Sequence, residues 1–480
     1  MDNFWIKVFV LTLIVSCCFF AVYIALFRPF LLNNVTMLGA IVFLQLLLAA
    51  IWKYRQRFFL VLIIAFLWAG ASVPMQGAWA TGRWVVLGVG AIAGFFLYLK
   101  EHWHHFGPLH MAALFCVIAA LVSALVSDYP KVALLKTISL LLLFLYAASG
   151  ARLAIVGREA KFFSGLLVGC EVLVYVTAVA YLALHSQLYG NKNSLGVVMG
   201  VIVLPILLWG FIISERPIVY QRRGIELMLC IFLLFSSYAR AAIAASVISS
   251  LVLCVLLRRF RLLVRGVGLA LLVALLVVST VPLPSSSPSA DNSLTTRFLY
   301  KGKRETGVLG SRSPVWDKTV ASLRVHPWFG TGFGTSATDY DETTERSIHV
   351  TSDETYGGVR EHGNSYLAII EWVGLLGVAP FILLLSLTVW YLSRVVIWMY
   401  RTANPYSPAV PIAAFALGAL VHAGFEDWLF AVGYYACIFF WALVFSLPDL
   451  MPAGALQPAH TLHHIPRPSN HAADVAVPGR

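Results

Sequence analysis

The chain has 480 residues, 60% of them hydrophobic and 12% charged, with a net charge of +12 and a mean hydropathy of +0.83. Soluble domains carry about 25% charged residues, so the composition excludes a soluble globular protein of this size and points to a chain solvated largely by lipid. The basic residues lie in short clusters between apolar runs rather than in a stripe interleaved with aromatics, which argues against nucleic acid as a partner.

Taken in chain order, apolar stretches long enough to cross roughly 30 Å of hydrocarbon fall at 5–27, 33–52, 58–76, 84–99, 110–127, 131–149, 162–184, 194–214, 224–239, 241–257, 266–283, 365–393, 408–425 and 429–447. That makes fourteen spans, or twelve if the shorter stretches and 224–257 are counted differently. The first has no Ala-x-Ala cleavage site and reads as a span rather than a signal peptide. The cysteines at 17, 18, 116, 170, 230, 254 and 437 all sit in apolar runs without metal-ligand spacing, so neither disulfides nor a metal site are implied.

Charge sets the orientation. With fourteen spans, Lys53/Arg55/Arg57, Arg152/Arg158/Lys161, Arg216/Arg222/Arg223, Arg258/Arg259/Arg261/Arg265 and Arg394/Arg401 all fall on one side, which the positive-inside rule makes cytoplasmic. Four parts follow: a first membrane part over 1–280, an outward loop over 281–364, C-terminal spans over 365–450, and a Pro-, His- and Ala-rich tail over 451–480 that reads as disordered. Within the loop, Pro314 marks a helix start, and Pro327-Trp-Phe-Gly330-Thr-Gly332-Phe-Gly334 reads as a tight turn.

The residues able to carry chemistry face the outward side. Arg240 lies in apolar sequence at a span end, where an ionisable group is functional by default, although an interfacial anchor is the bland alternative. Arg312 precedes the loop helix; the helix dipole disfavours a cation there, but Arg312 and the helix amides together suit an anion. His362, in Arg360-Glu361-His362-Gly363-Asn364, stands where the loop re-enters the membrane and could take a proton near pH 7. Asn191 and Lys192 open a span; the simplest role of Asn191 is a helix cap, and the functional one is contact with a sugar or phosphate. A proton-coupled transporter would want groups such as Glu171 and Glu226 near mid-membrane, but Glu226 lies at the cytoplasmic edge, which weakens that reading. The acidic patch Asp339, Asp341, Glu342 and Glu345 lacks an EF-hand pattern.

These elements resemble the bacterial O-antigen ligase and polymerase superfamily: a polytopic chain, one large outward loop, Tyr238-Ala-Arg240-Ala-Ala, Gly310-Ser-Arg312-Ser-Pro-Val-Trp316, His326-Pro-Trp-Phe-Gly-Thr-Gly-Phe-Gly334 and Glu361-His362-Gly-Asn-Ser-Tyr-Leu367. The specific motifs fall between Arg240 and Gly374. The resemblance implies an all-α polytopic membrane protein with the type C glycosyltransferase-like fold, most often with twelve spans, working at the periplasmic face of the bacterial inner membrane. It implies transfer of an O-antigen glycan from undecaprenyl diphosphate to a sugar hydroxyl of lipid A–core, with no cofactor or metal. By position in the motifs, Arg240 and Arg312 would hold the diphosphate and His362 would be the essential histidine. Asn191, Lys192, Arg360 and Asn364 are further candidate substrate contacts by their places on the outward side. The residue chemistry is compatible: arginine forks suit a diphosphate leaving group, a neutral histidine suits a sugar hydroxyl, and a single displacement predicts inversion. An O-antigen polymerase, a protein O-glycosyltransferase and, from another class, a secondary transporter remain alternatives at this level.

Overall fold

A computed structural model of the chain describes residues 35–71, 76–101, 106–183, 188–189, 191–280, 312–336 and 362–452. Among the described residues every regular element is a helix: α1 (Val35–Trp52), α2 (Phe59–Ala69, preceded by a π turn over Tyr54–Phe58), α3 (Gln76–Glu101), α4 (Pro108–Leu125), α5 (Pro130–Ile155), α6 (Glu159–Leu182), α7 (Lys192–Ile212), α8 (Pro217–Ser236), α9 (Arg240–Leu256), α10 (Phe260–Thr280), α11 (Ser313–Val325), α12 (Ser365–Thr402), α13 (Ala409–Ala423) and α14 (Tyr435–Leu450). In lipid the backbone must satisfy its own polar groups, and a helix does so within one segment. Proline in the first turn opens α4, α5, α8 and α11, where its missing N–H costs nothing.

The chain is thus a polytopic membrane protein. Seven of the described helices (α3–α7, α10 and α12) are long and apolar enough to cross a bilayer, and α9, α13, α14 and the 41–52 part of α1 are shorter apolar helices. Every sequence-predicted span from 33–52 onward coincides with a helix; the one at 5–27 lies outside the described residues, as do the tail beyond 452 and most of the 281–364 loop. The ambiguous stretch 224–257 is two helices, α8 and α9, parted by a turn at Ser237–Ala239 in which Tyr238 has φ 52°.

Burial separates a centre from a rim. The spanning window of α7 is 94% buried and that of α10 only 11%, so α7 is the axis of the bundle and α10 faces lipid. Small residues let helices meet closely, as membrane packing requires: Gly94 of α3 lies against Gly150 of α5, and Gly418 of α13 against the Ala245 backbone of α9. Aromatic side chains fill the seam between α5 and α14, where Phe144 stacks on Phe445 and meets Trp441 edge-on.

Side-chain contacts sort the loops into two ends. At one end Arg55 pairs with Glu101, Arg152 with Asp449, and Trp209 Nε1 donates to the Pro405 carbonyl. At the other, Arg83 donates to Gly433 O, Ser127 to Thr331 O, Tyr435 to Ser194 O, and Arg312 pairs with Glu426. These are the two loop sets that the sequence parity separates.

Candidate functional site

The site is built on the start of α12. Asn364 caps it, its side-chain oxygen accepting from Tyr366 N (2.9 Å) and Leu367 N (3.2 Å). The helix then breaks at Gly374, which has φ 68° and ψ −177°. Such a break frees carbonyls before it and N–H groups after it, and in a membrane each needs a partner. The 327–332 loop supplies them. Thr331 N donates to Glu371 O (2.9 Å) and Gly332 N to Trp372 O (3.1 Å); Leu375 N donates to Pro327 O (2.8 Å) and Leu376 N to Trp328 O (3.1 Å). Ser123 of α4 adds a bond from its hydroxyl to Trp372 O (2.5 Å). The approach is so close that a Cβ on Gly330 would stand 2.4 Å from Glu371 O, and one on Gly374 2.4 Å from the Trp328 carbonyl, and both residues have positive φ. The glycine-rich stretch is therefore a turn, as the sequence suggested, with the further task of completing a broken helix.

This arrangement places Glu371 just before the break, facing His362. Both are buried. His362 Nε2 is 3.2 Å from Glu371 Oε2 and 3.3 Å from Ser336 Oγ, and its Nδ1 is 3.5 Å from Asp427 Oδ2. The same Asp427 oxygen accepts from the His362 backbone N–H at 2.7 Å, and the ring meets Trp372 edge-on at 5.3 Å. Burial by itself pushes the His362 pKa down, but the hydrogen bonds and charges of Asp427 and Glu371 together outweigh it and leave it above the ordinary histidine value. Burial likewise pushes Asp427 up, and its contacts with His362 more than reverse that, so its carboxyl titrates below the usual aspartate range. The two carboxylates differ in access: the Glu371 side chain is fully buried, whereas Asp427 is 26% exposed.

Arg312 lies on the N-terminal side of α11, next to this histidine. Its Nη2 pairs with Glu426 Oε1 at 2.5 Å, and it packs over Gly363, where a Cβ would come within 2.6 Å of Nη1. Gly363 also has φ 61°, so glycine is required there on both counts. A guanidinium has five N–H donors, and the Glu426 pair uses one of them. Arg240 is the first residue of α9 and lies within electrostatic range of Arg312. Like charges brought together in a partly buried place are unfavourable unless an anion lies between them.

The remaining sequence-predicted residues divide. Lys192 Nζ sits 5.8 Å above the Tyr238 ring, which brings it to the turn that leads into Arg240. Asn191 caps α7, its side chain accepting from Ser194 N at 2.7 Å. Asn364 adjoins His362, with its oxygen engaged in the cap described above. Arg360, with Glu361 and the acidic patch at 339–345, lies outside the described residues. Glu171 is fastened by Arg222 (2.9 Å) and Arg223 (3.2 Å) of α8, and Glu226 lies 3.5 Å from Arg222. Among the described residues no group of three or more His, Cys, Asp or Glu has the geometry of a metal site.

Glu371, Glu426, Asp427 and Ser336 belong to the site and were not singled out by sequence. The signal for Glu371 was present: an acid inside an apolar run is costly and functional by default. Glu426-Asp427 stands in the sequence only as a short polar turn between two apolar runs. Residues 225–382 match the family described as O-antigen ligase, and the match supports membership of that superfamily; it takes in Arg240, Arg312, His362 and Glu371 and ends before Glu426. Comparison with curated proteins returned no match.

Proposed function

We infer, from the membership of this chain in the O-antigen ligase superfamily, that it is an integral-membrane glycosyltransferase moving an O-antigen glycan from undecaprenyl diphosphate to a sugar hydroxyl of lipid A–core at the periplasmic face of the inner membrane. The observation that carries the mechanism is the His362 imidazole held between Glu371 and Asp427, with Arg312 packed against the next residue. The acceptor hydroxyl attacks the anomeric carbon while His362 takes its proton. With Nε2–H directed to Glu371, the lone pair that receives that proton is on Nδ1, beside Asp427. The imidazolium that forms is balanced by a carboxylate on each side, as a general base in a buried site requires. The bond to the diphosphate breaks, and Arg312 and Arg240 stabilise the charge on the departing group. One displacement without a covalent intermediate inverts the anomeric configuration. Lys192 and Arg360 add positive charge toward the donor, and Asn191 and Asn364 polar contacts near the sugars.

The stitched break in α12 supports a transferase over a secondary transporter. A transporter leaves unwound backbone groups free for its solute; here the 327–332 loop takes them. Transfer from a diphosphate-linked donor to purified lipid A–core, measured in detergent, tests the reading. His362→Ala is expected to slow transfer by about 10²–10⁴-fold with donor binding largely retained, and wild-type rates in that variant would remove the general base. In a deletion strain, long polymer left on the carrier lipid with bare lipopolysaccharide marks a ligase; lipopolysaccharide carrying single repeats marks a polymerase.

A further inference from the structure

Two further cations stand at the outward end of the bundle, away from Arg240 and Arg312. Arg83 lies in α3 and Lys136 in α5, helices that pack on each other and run inward side by side. Close contacts fix their register. A Cβ on Gly88 would stand 3.9 Å from Leu142 Cδ1, and one on Gly94 would stand 2.8 Å from Gly150 Cα. Arg83 precedes Gly88 by five residues and Lys136 precedes Leu142 by six. At about 1.5 Å of rise per residue the two cations therefore share one level. They also share the seam. Arg83 falls on the stripe of α3 that holds Leu87 and Gly94, and Lys136 on the stripe of α5 that holds Leu143 and Gly150; all four of those residues are buried.

Each cation touches a segment that also holds His362. Arg83 Nη1 donates to Gly433 O at 2.8 Å, on the hairpin that carries Glu426 and Asp427. Its guanidinium lies over the Trp84 ring at 5.0 Å, and its Nε is buried without a partner. Gly334, at φ 75°, lies along the Lys136 stem, where a Cβ would come within 3.0 Å of Cγ; two residues later Ser336 Oγ is 3.3 Å from His362 Nε2. Lys136 itself is exposed. Among the described residues no carboxylate pairs with either cation. Snorkelling to the interface would account for one such group. Two like charges at one level of one seam repel unless an anion joins them, and unneutralised charges within spans are functional by default. The flank they occupy says which anion. Arg240 stands on α9, which packs on α7, α10 and α13, and Arg312 precedes α11, which packs on α12. In an inverting displacement the nucleophile and the leaving group take opposite sides of the anomeric carbon, so the acceptor belongs on a flank of His362 that the diphosphate does not fill.

We propose that Arg83 and Lys136 form an anion subsite for a phosphate group of the acceptor lipid, separate from the diphosphate subsite of Arg240 and Arg312. This rests on the reading of the chain as a transferase whose acceptor is lipid A–core, a phosphorylated glycolipid.

Binding is measured on the purified full chain in detergent with four separate probes: lipid A, the same lipid stripped of its phosphates, phosphatidylglycerol and undecaprenyl diphosphate. Wild type is expected to bind lipid A about tenfold more tightly than the dephosphorylated form, the size of a charge-assisted hydrogen bond. Arg83→Gln and Lys136→Gln remove the charge and keep part of the stem. Each should weaken lipid A binding about tenfold and leave the dephosphorylated lipid and undecaprenyl diphosphate within about threefold of wild type. Lys136→Arg should keep the preference for phosphate. Equal binding of lipid A and its dephosphorylated form by wild type overturns the proposal without any variant. So does phosphatidylglycerol binding as tightly as lipid A, which would make the pair a general lipid anchor. A loss of undecaprenyl diphosphate alone would move both cations to the donor, and an equal loss of every probe would make them structural; either result overturns the proposal. In transfer at saturating donor, both glutamine variants should raise the acceptor KM about tenfold. If wild type does not transfer glycan to lipid A–core, the transferase reading falls, while the wild-type preference for phosphate still decides whether the subsite exists. If wild type transfers and the acceptor KM is unchanged in both variants, only the subsite falls.

Discussion

At the scale of the residue, His362 is defined by what flanks it. A general base works only in its neutral form, and two carboxylates favour the charged one, so the pair sets both the strength of the base and the pH at which it is lost. The sign follows directly. Transfer should fall as pH drops through the His362 pKa, and because that pKa lies above the ordinary value of about 6.5, the acid limb should begin at a higher pH than for a solvated imidazole. Asp427→Asn removes one of the groups that raise it. The limb should then shift to lower pH while the plateau rate drops by about 10–100-fold, since the imidazolium loses a charge-assisted hydrogen bond. A pH–rate profile of the variant checks both; an unmoved limb would separate Asp427 from the base. In the sequence, His362, Arg240 and Arg312 stand out because each is polar among motif residues or at a span boundary. Asp427 could not be paired with His362 that way, because the two are 65 residues apart and meet only through the folding of α13 back onto α12.

At the scale of the element, the informative feature is the interrupted helix. Residues 365–393 read as one unbroken apolar run, and they do form one long helix in composition. The break shows only in the backbone of Gly374. The partner of the break was legible as a glycine-rich turn, but not its destination, because Thr331 and Glu371 lie 40 residues apart. Gly374→Ala would force an L side chain into positive φ, costing about 1–3 kcal/mol, and would drive its Cβ into the Trp328 carbonyl. Its melting temperature in detergent should fall, and transfer should fall with it, because Glu371 would no longer be held against His362. A fully stable Gly374→Ala protein would show that the loop can leave the helix without loss.

At the scale of the whole molecule, the helices from residue 33 onward were legible from hydropathy alone, and the grouping of loops at two ends from span parity. The joints between distant parts of the chain were not. Arg152 and Asp449 form one such joint: Nε and Nη2 of Arg152 bond the two carboxylate oxygens at 2.6 and 3.0 Å, with the guanidinium over Tyr98 at 5.0 Å. Arg152 is 2% exposed. Removing one partner of a buried pair costs about 3–5 kcal/mol, whereas apolar replacement of both is often near neutral. Arg152→Met should therefore destabilise the bundle strongly, and Arg152→Met with Asp449→Leu should recover most of the loss in a thermal melt. The stitched helix has a further consequence, in time rather than space. Residues 327–332 leave the ribosome before 371–376, so the template exists before the segment it completes. A nascent chain can therefore close the rungs of α12 as they emerge, against a loop that has already been delivered to that side of the bilayer. A circular permutant starting after the loop would synthesise the break first, with its carbonyls and amides in lipid and no template to receive them.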